Sequence, residues 1–502
     1  MHPKQIPLNL TDEKQPYTYD EALKEAGFGR AQISLTILCG FCLMASANES
    51  MGVGIILPAS QCDLELDLSR KGLVGGAVFL GVMISTYYWG YQTDIQGRHA
   101  VLRKTLLAAT SCSLVACFVN NFHLLLALRF LVGLFIAAPG STGIVYLGEF
   151  CPAKYRGQMI SYACAIAGFG FFYVAAMAWW ILSYDWSISI TNNFTIRPWR
   201  LLFVVNALPG FISGLLLCFY PETPRFLLEQ GRCDEALDVF RWIHRHNKGA
   251  DSPFEVHSLK SESHPPEVPN QQPALLQKLR NQITPLMKFP HSISLLVCSF
   301  QTVSVYGTYG GLGIWYPQIM NLVFSTQGPT ESAICSIIQL NRTSTTTMDP
   351  ADSSTCDDTI RPETYIYTLI LGALVGTYTL LISILLSRFG EKTLIYANLI
   401  AAGGVGVILQ YVTHTYVAAI LFCVEITVAA VSIILVRSMQ VSLFPTRVKG
   451  TAVSLTALIG RVGQLISNVV TGVLIVQHCT LTLYFIASLL FISAALNALL
   501  QQ

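Results

Sequence analysis

Five ionisable residues stand inside stretches that are otherwise apolar: Glu49, Arg129, Glu425, Arg437 and Arg461. A charge in hydrocarbon costs about 2.5–3.5 kcal/mol on insertion scales, so each needs a partner, a watery cavity or a task. A carboxylate there binds a cation or cycles a proton, and a guanidinium attracts an anionic group. Three arginines against two carboxylates tilt the set toward an anionic substrate. The competing reading is mutual neutralisation, with Glu49 or Glu425 pairing an arginine only to hold helices together. At 1.5 Å per residue, Arg461 lies about 18 Å from the cytosolic end of its helix, and Arg437 about 12 Å, within reach of snorkelling. Glu49 and Glu425 lie about 14 Å from the outer ends and Arg129 a little less, depths that suit a cavity open outward.

Aromatic residues form a second set. Trp179 and Trp315 are near outer helix ends, where an interfacial belt and a pocket wall are both readings. Tyr306 and Tyr309 stand deeper among Gly307, Gly310, Gly311 and Gly313, where a helix can bend or admit a ligand, and a pocket wall is expected. A third set is charged and lies in short loops: Asp94 with Arg98, then Arg156 and Arg388. These suit a gating latch, in which the acidic group holds a neighbouring helix end while the inner face is closed. Phosphate loops, zinc-protease motifs and nucleophile elbows are missing, so neither catalysis, a cofactor nor a metal is expected.

These residues need a membrane scaffold. The chain has 502 residues, 52% hydrophobic and 12% charged, with mean hydropathy +0.51, against about 25% charged in soluble domains. Its net charge of +2 offers no basic face for nucleic acid. A bilayer core needs roughly 20 apolar residues per helix, which yields twelve spans: 33–57, 72–92, 102–120, 123–147, 158–182 and 200–220, then 291–323, 364–386, 393–412, 416–441, 450–475 and 480–500. The domains read as an N-terminal segment 1–32, a six-helix bundle 33–220, a linker 221–290 and a second bundle 291–502, with an outer loop 324–362. Lys and Arg collect in the loops around 98–104, 154–156, 388–392 and 447–449, which places both termini in the cytosol. The N-terminal segment lacks a signal-peptide core, so the first span is expected to engage the membrane itself. Asn193 and Asn341 lie in sequons of the outer loops and are candidate glycosylation sites. Of fourteen cysteines most read as apolar fillers; Cys335 and Cys356 share the polar outer loop, and a disulfide between them is expected.

The loop Gly90–His99 has an echo at Ser387–Lys392, with Ser387 where Asp94 stands (387 − 94 = 293). Pro152-Ala153-Lys154-Tyr155-Arg156-Gly157 recurs in the same register as Pro445-Thr446-Arg447-Val448-Lys449-Gly450. Two loops repeating at one step indicate two like halves in parallel, an all-α membrane protein of two pseudo-symmetric six-helix bundles. These loops, with Arg129 to Gly133 and Pro221-Glu222-Thr223-Pro224-Arg225, resemble the major facilitator superfamily, in its organic ion transporter and sugar porter branch. Tyr19 to Leu23, Ala26 to Gly29, Ala175 to Trp179 and Tyr309 through Pro317 are similar to the synaptic vesicle glycoprotein 2 family. The resemblance implies bundles rocking around a central site walled by tryptophans of the fifth, seventh and tenth spans and acidic groups of the first. Trp179, Tyr309, Trp315 and Glu49 keep the implied types. The family's aspartate before that glutamate is Ser46 here, its tenth-span tryptophan is Leu435, and an aspartate there is Arg437.

The expectation is a secondary transporter of a small organic ion or polar metabolite. Glu49 is the foremost candidate for a proton or coupling-cation site. Arg129 and Arg461 are the candidates for binding the substrate's anionic group or for neutralising that glutamate. It would reside in the plasma membrane or a vesicle membrane. The alternative is a transport-silent binding or trafficking protein of vesicle membranes.

Overall fold

A computed structural model describes residues 16–191, 194–249, 251–260, 284–289, 291–325, 333–339, 356–444, 446–498 and 500. Among them twelve helical spans follow one another. In the first bundle spans 1 to 6 are Arg30–Ala59 (interrupted at Gly52), Leu68–Gln96, Arg98–Ala116, Phe122–Phe150, Ala153–Leu182 (interrupted at Phe169) and Pro198–Leu216. In the second, spans 7 to 12 are His291–Ser325, Pro362–Phe389, Glu391–Ile408, Thr415–Leu443, Thr446–Gln477 and Cys479–Ala498. Nine of the twelve are long and apolar enough to cross a bilayer on composition alone; spans 3, 7 and 9 are the more polar ones.

The internal repeat holds in the helices themselves. Span 4 and span 10 start at 122 and 415 and end at 150 and 443, the same 293-residue step as the loops. Gly97 and Gly390 keep it too, and both adopt positive φ (94° and 73°) before the helices that begin at Arg98 and Glu391. Only glycine enters that conformation without a Cβ penalty, so the sharp turn between paired helices is written into both halves.

The first bundle carries a collar. Helix Tyr19–Ala26 and the linker helices Pro224–Glu229 and Cys233–Lys248 share an apolar core with the adjacent ends of spans 1, 4 and 5. Asn247 fastens the collar, accepting from the Ala31 amide (3.0 Å) and donating to the Gly27 carbonyl (2.9 Å). Glu222 accepts from the His99 amide (3.0 Å) at the start of span 3, where free N–H groups and the helix dipole favour a carboxylate. This end of the molecule is the linker face. Within the N-terminal segment Tyr19–Ala26 is helical, and span 1 begins at Arg30.

The opposite face holds two disulfides, and they correct the expected pairing. Cys335 bonds Cys479 rather than Cys356, and Cys356 bonds Cys62. The short helical turn 334–339 carries Cys335 onto the start of span 12, whereas Cys356 approaches the turn between spans 1 and 2. Proximity in sequence misled here because the chain leaves and re-enters the bundle at separate places. A small antiparallel hairpin, Ile188–Thr191 with Phe194–Ile196, stands on this disulfide face where only a loop was expected. Asn193 and Asn341 lie outside the described residues.

Within the first bundle, spans 2 and 4 touch backbone to backbone. A Cβ on Gly133 would lie 2.2 Å from the Val78 carbonyl oxygen, and one on Gly81 would lie 2.4 Å from that of Phe130. Gly133→Val is expected to cost about 1–3 kcal/mol by overpacking. The midpoint of thermal unfolding in detergent should fall. Gly157→Ala, at a site with nothing within 4 Å, should leave that midpoint unchanged or raise it.

Candidate functional site

The two bundles enclose a cavity of about 200 Å³ between spans 1, 4, 5, 7, 8, 10 and 11. Arg437 and Arg461 enter it from the second bundle, beside Tyr306 and Tyr309. The Tyr306 ring lies between the two guanidiniums, with Arg461 centred 5.0 Å and Arg437 5.8 Å from it. Arg437 donates to the Tyr306 hydroxyl, and Arg461 to the Gln464 side-chain carbonyl at 2.8 Å. Cation–π contacts and a neutral amide orient these groups without cancelling their charge. No carboxylate lines the cavity, and among the described residues neither guanidinium has an acidic partner. From the first bundle come Ser46 and Ser50, whose hydroxyls donate to the Ile136 and Ser46 carbonyls (3.1 and 2.7 Å). Tyr309 meets Phe171 edge to face across the bundle interface, ring centres 6.3 Å apart.

Glu49 and Arg129 are elsewhere. They form a buried pair inside the first bundle, with Arg129 bonding the Glu49 carboxylate at 2.8 Å and also its backbone carbonyl. Ser113 donates to the second carboxylate oxygen at 2.6 Å. Both side chains are sealed from solvent and neither lines the cavity. For this pair the neutralisation reading describes the geometry. Glu425 is also away from the cavity, fully buried beside Gly406 of span 9 and Ala487 of span 12. Neither of its carboxyl oxygens has a hydrogen-bond partner among the described residues. The expectation that Glu49, Glu425 and Arg129 line a cavity open outward is therefore corrected: helix rotation, which depth along a span does not report, turns all three into bundle interiors.

A family model described as "Sugar (and other) transporter" matches residues 26–308, more than half of the chain. The chain belongs to that family. Synaptic vesicle glycoprotein 2C of Mus musculus is 33% identical over 255 residues, 50% of this chain and 35% of the relative. Synaptic vesicle glycoprotein 2A of Rattus norvegicus is 35% identical over 241 residues, 47% and 32%. Synaptic vesicle glycoprotein 2B of Homo sapiens is 29% identical over 331 residues, 62% and 48%. The chain thus spans between about a third and a half of the length of these relatives. The inward open conformation of the xylose transporter XylE from E. coli superposes with TM-score 0.64 at 13% identity, covering 94% of this chain and 96% of that one. Its partially occluded inward open form gives 0.60 at 14%, with 93% and 98%. At such identities the likeness is one of fold, that of the major facilitator superfamily. Family and fold are those of membrane transporters, not of enzymes.

In this transporter-family chain the bundles meet mainly on the disulfide side of the cavity. Span 2 packs on span 11, span 5 on span 8 and the outer piece of span 1 on span 7. Lys71 is buried there and bridges the bundles, donating to Gln61 (2.6 Å) and Gln318 (2.7 Å). Asn468 donates to the Gly72 carbonyl (2.9 Å), while its own carbonyl accepts from the Trp315 indole (2.9 Å). Trp315 belongs to this seal rather than to the cavity wall. Trp179 stacks on Tyr365 across the same interface, ring planes 2° apart. Lys71 escaped sequence reading because a lysine flanking a span looks ordinary.

On the linker face Arg98 is the hub. It reaches Glu149 at 3.3 Å, Glu229 at 3.6 Å and Asp94 at 3.8 Å, and it lies over the Phe226 ring. Asp94 is largely exposed, so the carboxylates nearer to Arg98 are two that the repeat did not indicate. Arg156 donates to the Cys151 carbonyl at 3.4 Å, and Arg388 is exposed. In the second half the Glu391 carboxylate accepts from the Ser438 and Ser442 hydroxyls of span 10.

The contrast between the two buried carboxylates is measurable. Glu49→Gln leaves Arg129 buried without its counter-charge and is expected to cost about 3–5 kcal/mol. Glu425→Gln removes no partner and keeps the shape, so its thermal midpoint in detergent should stay near that of the unaltered protein.

Proposed function

We propose that this chain is a secondary carrier that moves a small organic anion across a membrane by alternating access, with Arg437, Arg461 and Tyr306 as its anion site. One observation carries the reading: two guanidiniums share an inter-bundle cavity that no carboxylate lines. Two like charges in a weakly polarisable site repel until an anion compensates them, and a charge-assisted, bidentate bond to guanidinium is among the stronger polar contacts available. A neutral sugar would leave that repulsion standing. The cavity's volume of about 200 Å³ favours a compact metabolite over a large one.

The linker face is assigned to the cytosol. Lys and Arg collect in its loops, and the two disulfides lie at the other face, which suits an oxidising compartment. With the bundles joined mainly on the disulfide side, the conformation is inward-facing. Asp94, Arg98, Arg156 and Arg388 then stand around the inner opening, where spans must move past one another, and a gating task fits them. Since Glu49 is committed to Arg129, Glu425 is the carboxyl left to carry a coupling proton. The vesicle residence of the named relatives supports a vesicle or plasma membrane. It also sustains the second reading, a binding protein without flux.

The test is binding of organic anions, organic cations and sugars to purified protein, followed by uptake into proteoliposomes with and without a thiol reductant. Anions alone should bind. Arg461→Ala and Arg437→Ala should each weaken that binding by about 30-fold or more, and Glu425→Gln should remove the pH dependence of flux. Sugars or cations binding equally well in the arginine variants would refute the anion site; anion binding without flux in either redox condition would favour the second reading.

A further inference from the structure

Opening a major-facilitator cavity to the disulfide face requires the bundles to separate there. The polar ties across that face are hydrogen bonds and ion pairs such as Lys71 with Gln318, Asn468 with Gly72, and Arg197 with Asp358 at 3.3 Å. Water replaces such contacts at modest cost, and a rocking motion exchanges them. Cys62–Cys356 is different in kind. It joins the turn between spans 1 and 2 of the first bundle to the segment leading into span 8 of the second, and it is a covalent bond.

Neither end of this bond is slack. Beside Cys62, the Asp63 carboxylate accepts from the Trp199 indole (2.7 Å) and pairs with Arg197 (2.9 Å), which ties the turn to span 6. The Leu66 amide closes the turn on the Gln61 carbonyl at 2.9 Å. Beside Cys356, Asn321 at the end of span 7 donates to the Thr359 carbonyl (3.1 Å) and accepts from the Arg361 amide (2.8 Å). Asp357 accepts from the Thr359 amide and hydroxyl (3.0 and 2.6 Å), bonds that hold its carboxyl below the usual range and keep this segment folded on itself. Separation of the bundles therefore loads the disulfide before any loop can pay out. The second disulfide, Cys335–Cys479, lies within the second bundle and does not cross the interface.

We propose that Cys62–Cys356 is a redox lock that holds the disulfide face shut, so that the oxidised protein binds its anion from the linker face only and the reduced protein completes the transport cycle. This rests on the carrier reading above. Cys356 is exposed, so a thiol reductant reaches the bond. A dithiol supplies the two electrons. Its thiolate attacks one sulfur to form a mixed disulfide and releases the other cysteine as thiolate; its second thiol then resolves the mixed disulfide. Cys62 and Cys356 end as thiols, and the reductant ends as a disulfide.

The experiment compares uptake of a bound anion into proteoliposomes by oxidised wild type, by wild type treated with a membrane-impermeant phosphine, by Cys62→Ser/Cys356→Ser and by Cys335→Ser/Cys479→Ser. Linker-face affinity is measured in parallel. Reduction of wild type should raise flux by about tenfold or more, the rise expected when a forbidden conformation becomes populated. The Cys62→Ser/Cys356→Ser protein should match the reduced protein without reductant. The Cys335→Ser/Cys479→Ser protein should keep the response to reductant, and affinity should be the same throughout. Equal flux in oxidised and reduced wild type would overturn the lock, and that arm needs no substitution to fold. Loss of anion binding in every form would instead overturn the carrier reading.

Discussion

Two guanidiniums left without a carboxylate between the bundles are the feature on which the rest of the molecule depends. Low-dielectric surroundings make uncompensated charge expensive, and proteins remove it by pairing unless a ligand supplies the missing charge. The first bundle shows the ordinary outcome, in which Arg129 is neutralised by Glu49, whose carboxylate also accepts from the Ser113 hydroxyl. The second bundle departs from it twice, at Arg437 with Arg461, and at Glu425, whose carboxyl oxygens have no hydrogen-bond partner among the described residues. Since the two halves follow one plan, this difference in charge satisfaction is where they differ most.

That divergence extends to mechanics. The first bundle is clasped by a collar built from the N-terminal helix and the linker, with Arg98, Glu222 and Asn247 as its polar fasteners. Its apolar packing is divided into one cluster near the collar, another near the disulfide face and a third between spans 2, 3 and 4. The second bundle has one continuous apolar core and no comparable collar among the described residues. The first half supplies a wall with hydroxyls from Ser46 and Ser50. The second half supplies the charges. In a rocking mechanism the substrate then couples the halves by bridging a charged surface and a neutral one.

The architecture was legible because its signals are local and repeated. Glycine before a helix needing positive φ recurs at Gly97 and Gly390, and span 4 and span 10 keep one register from end to end. The cavity was legible in part. Arg437, Arg461, Tyr306 and Tyr309 were found because a charge or phenol in an apolar run is conspicuous, and all four meet there. Glu49, Arg129 and Glu425 are just as conspicuous but face inward, since depth along a span says nothing of the azimuth about its axis. The disulfides were misread for a related reason: which cysteines meet is decided by the packing of spans 1, 8 and 12, not by sharing a polar loop.

The seal on the disulfide face explains how one chain reconciles likeness to carriers with likeness to vesicle glycoproteins. Beside the close packing of span 1 on span 7 and of span 5 on span 8, its polar part is built of contacts that exchange readily with water: an ammonium held by two amides, an asparagine on a backbone carbonyl, and rings stacked without interlocking. Nothing in that part favours a permanently closed state by more than a few kcal/mol, because each such contact is worth about 1 kcal/mol net. A molecule built solely of these would cycle. One covalent crossing changes the outcome from a bias to a prohibition, since no rocking motion available at ambient temperature breaks it. Under the proposed carrier reading, binding and transport need not be rival descriptions of the fold: one arginine-lined cavity would serve both, and the proposed lock at Cys62 and Cys356 would decide between them.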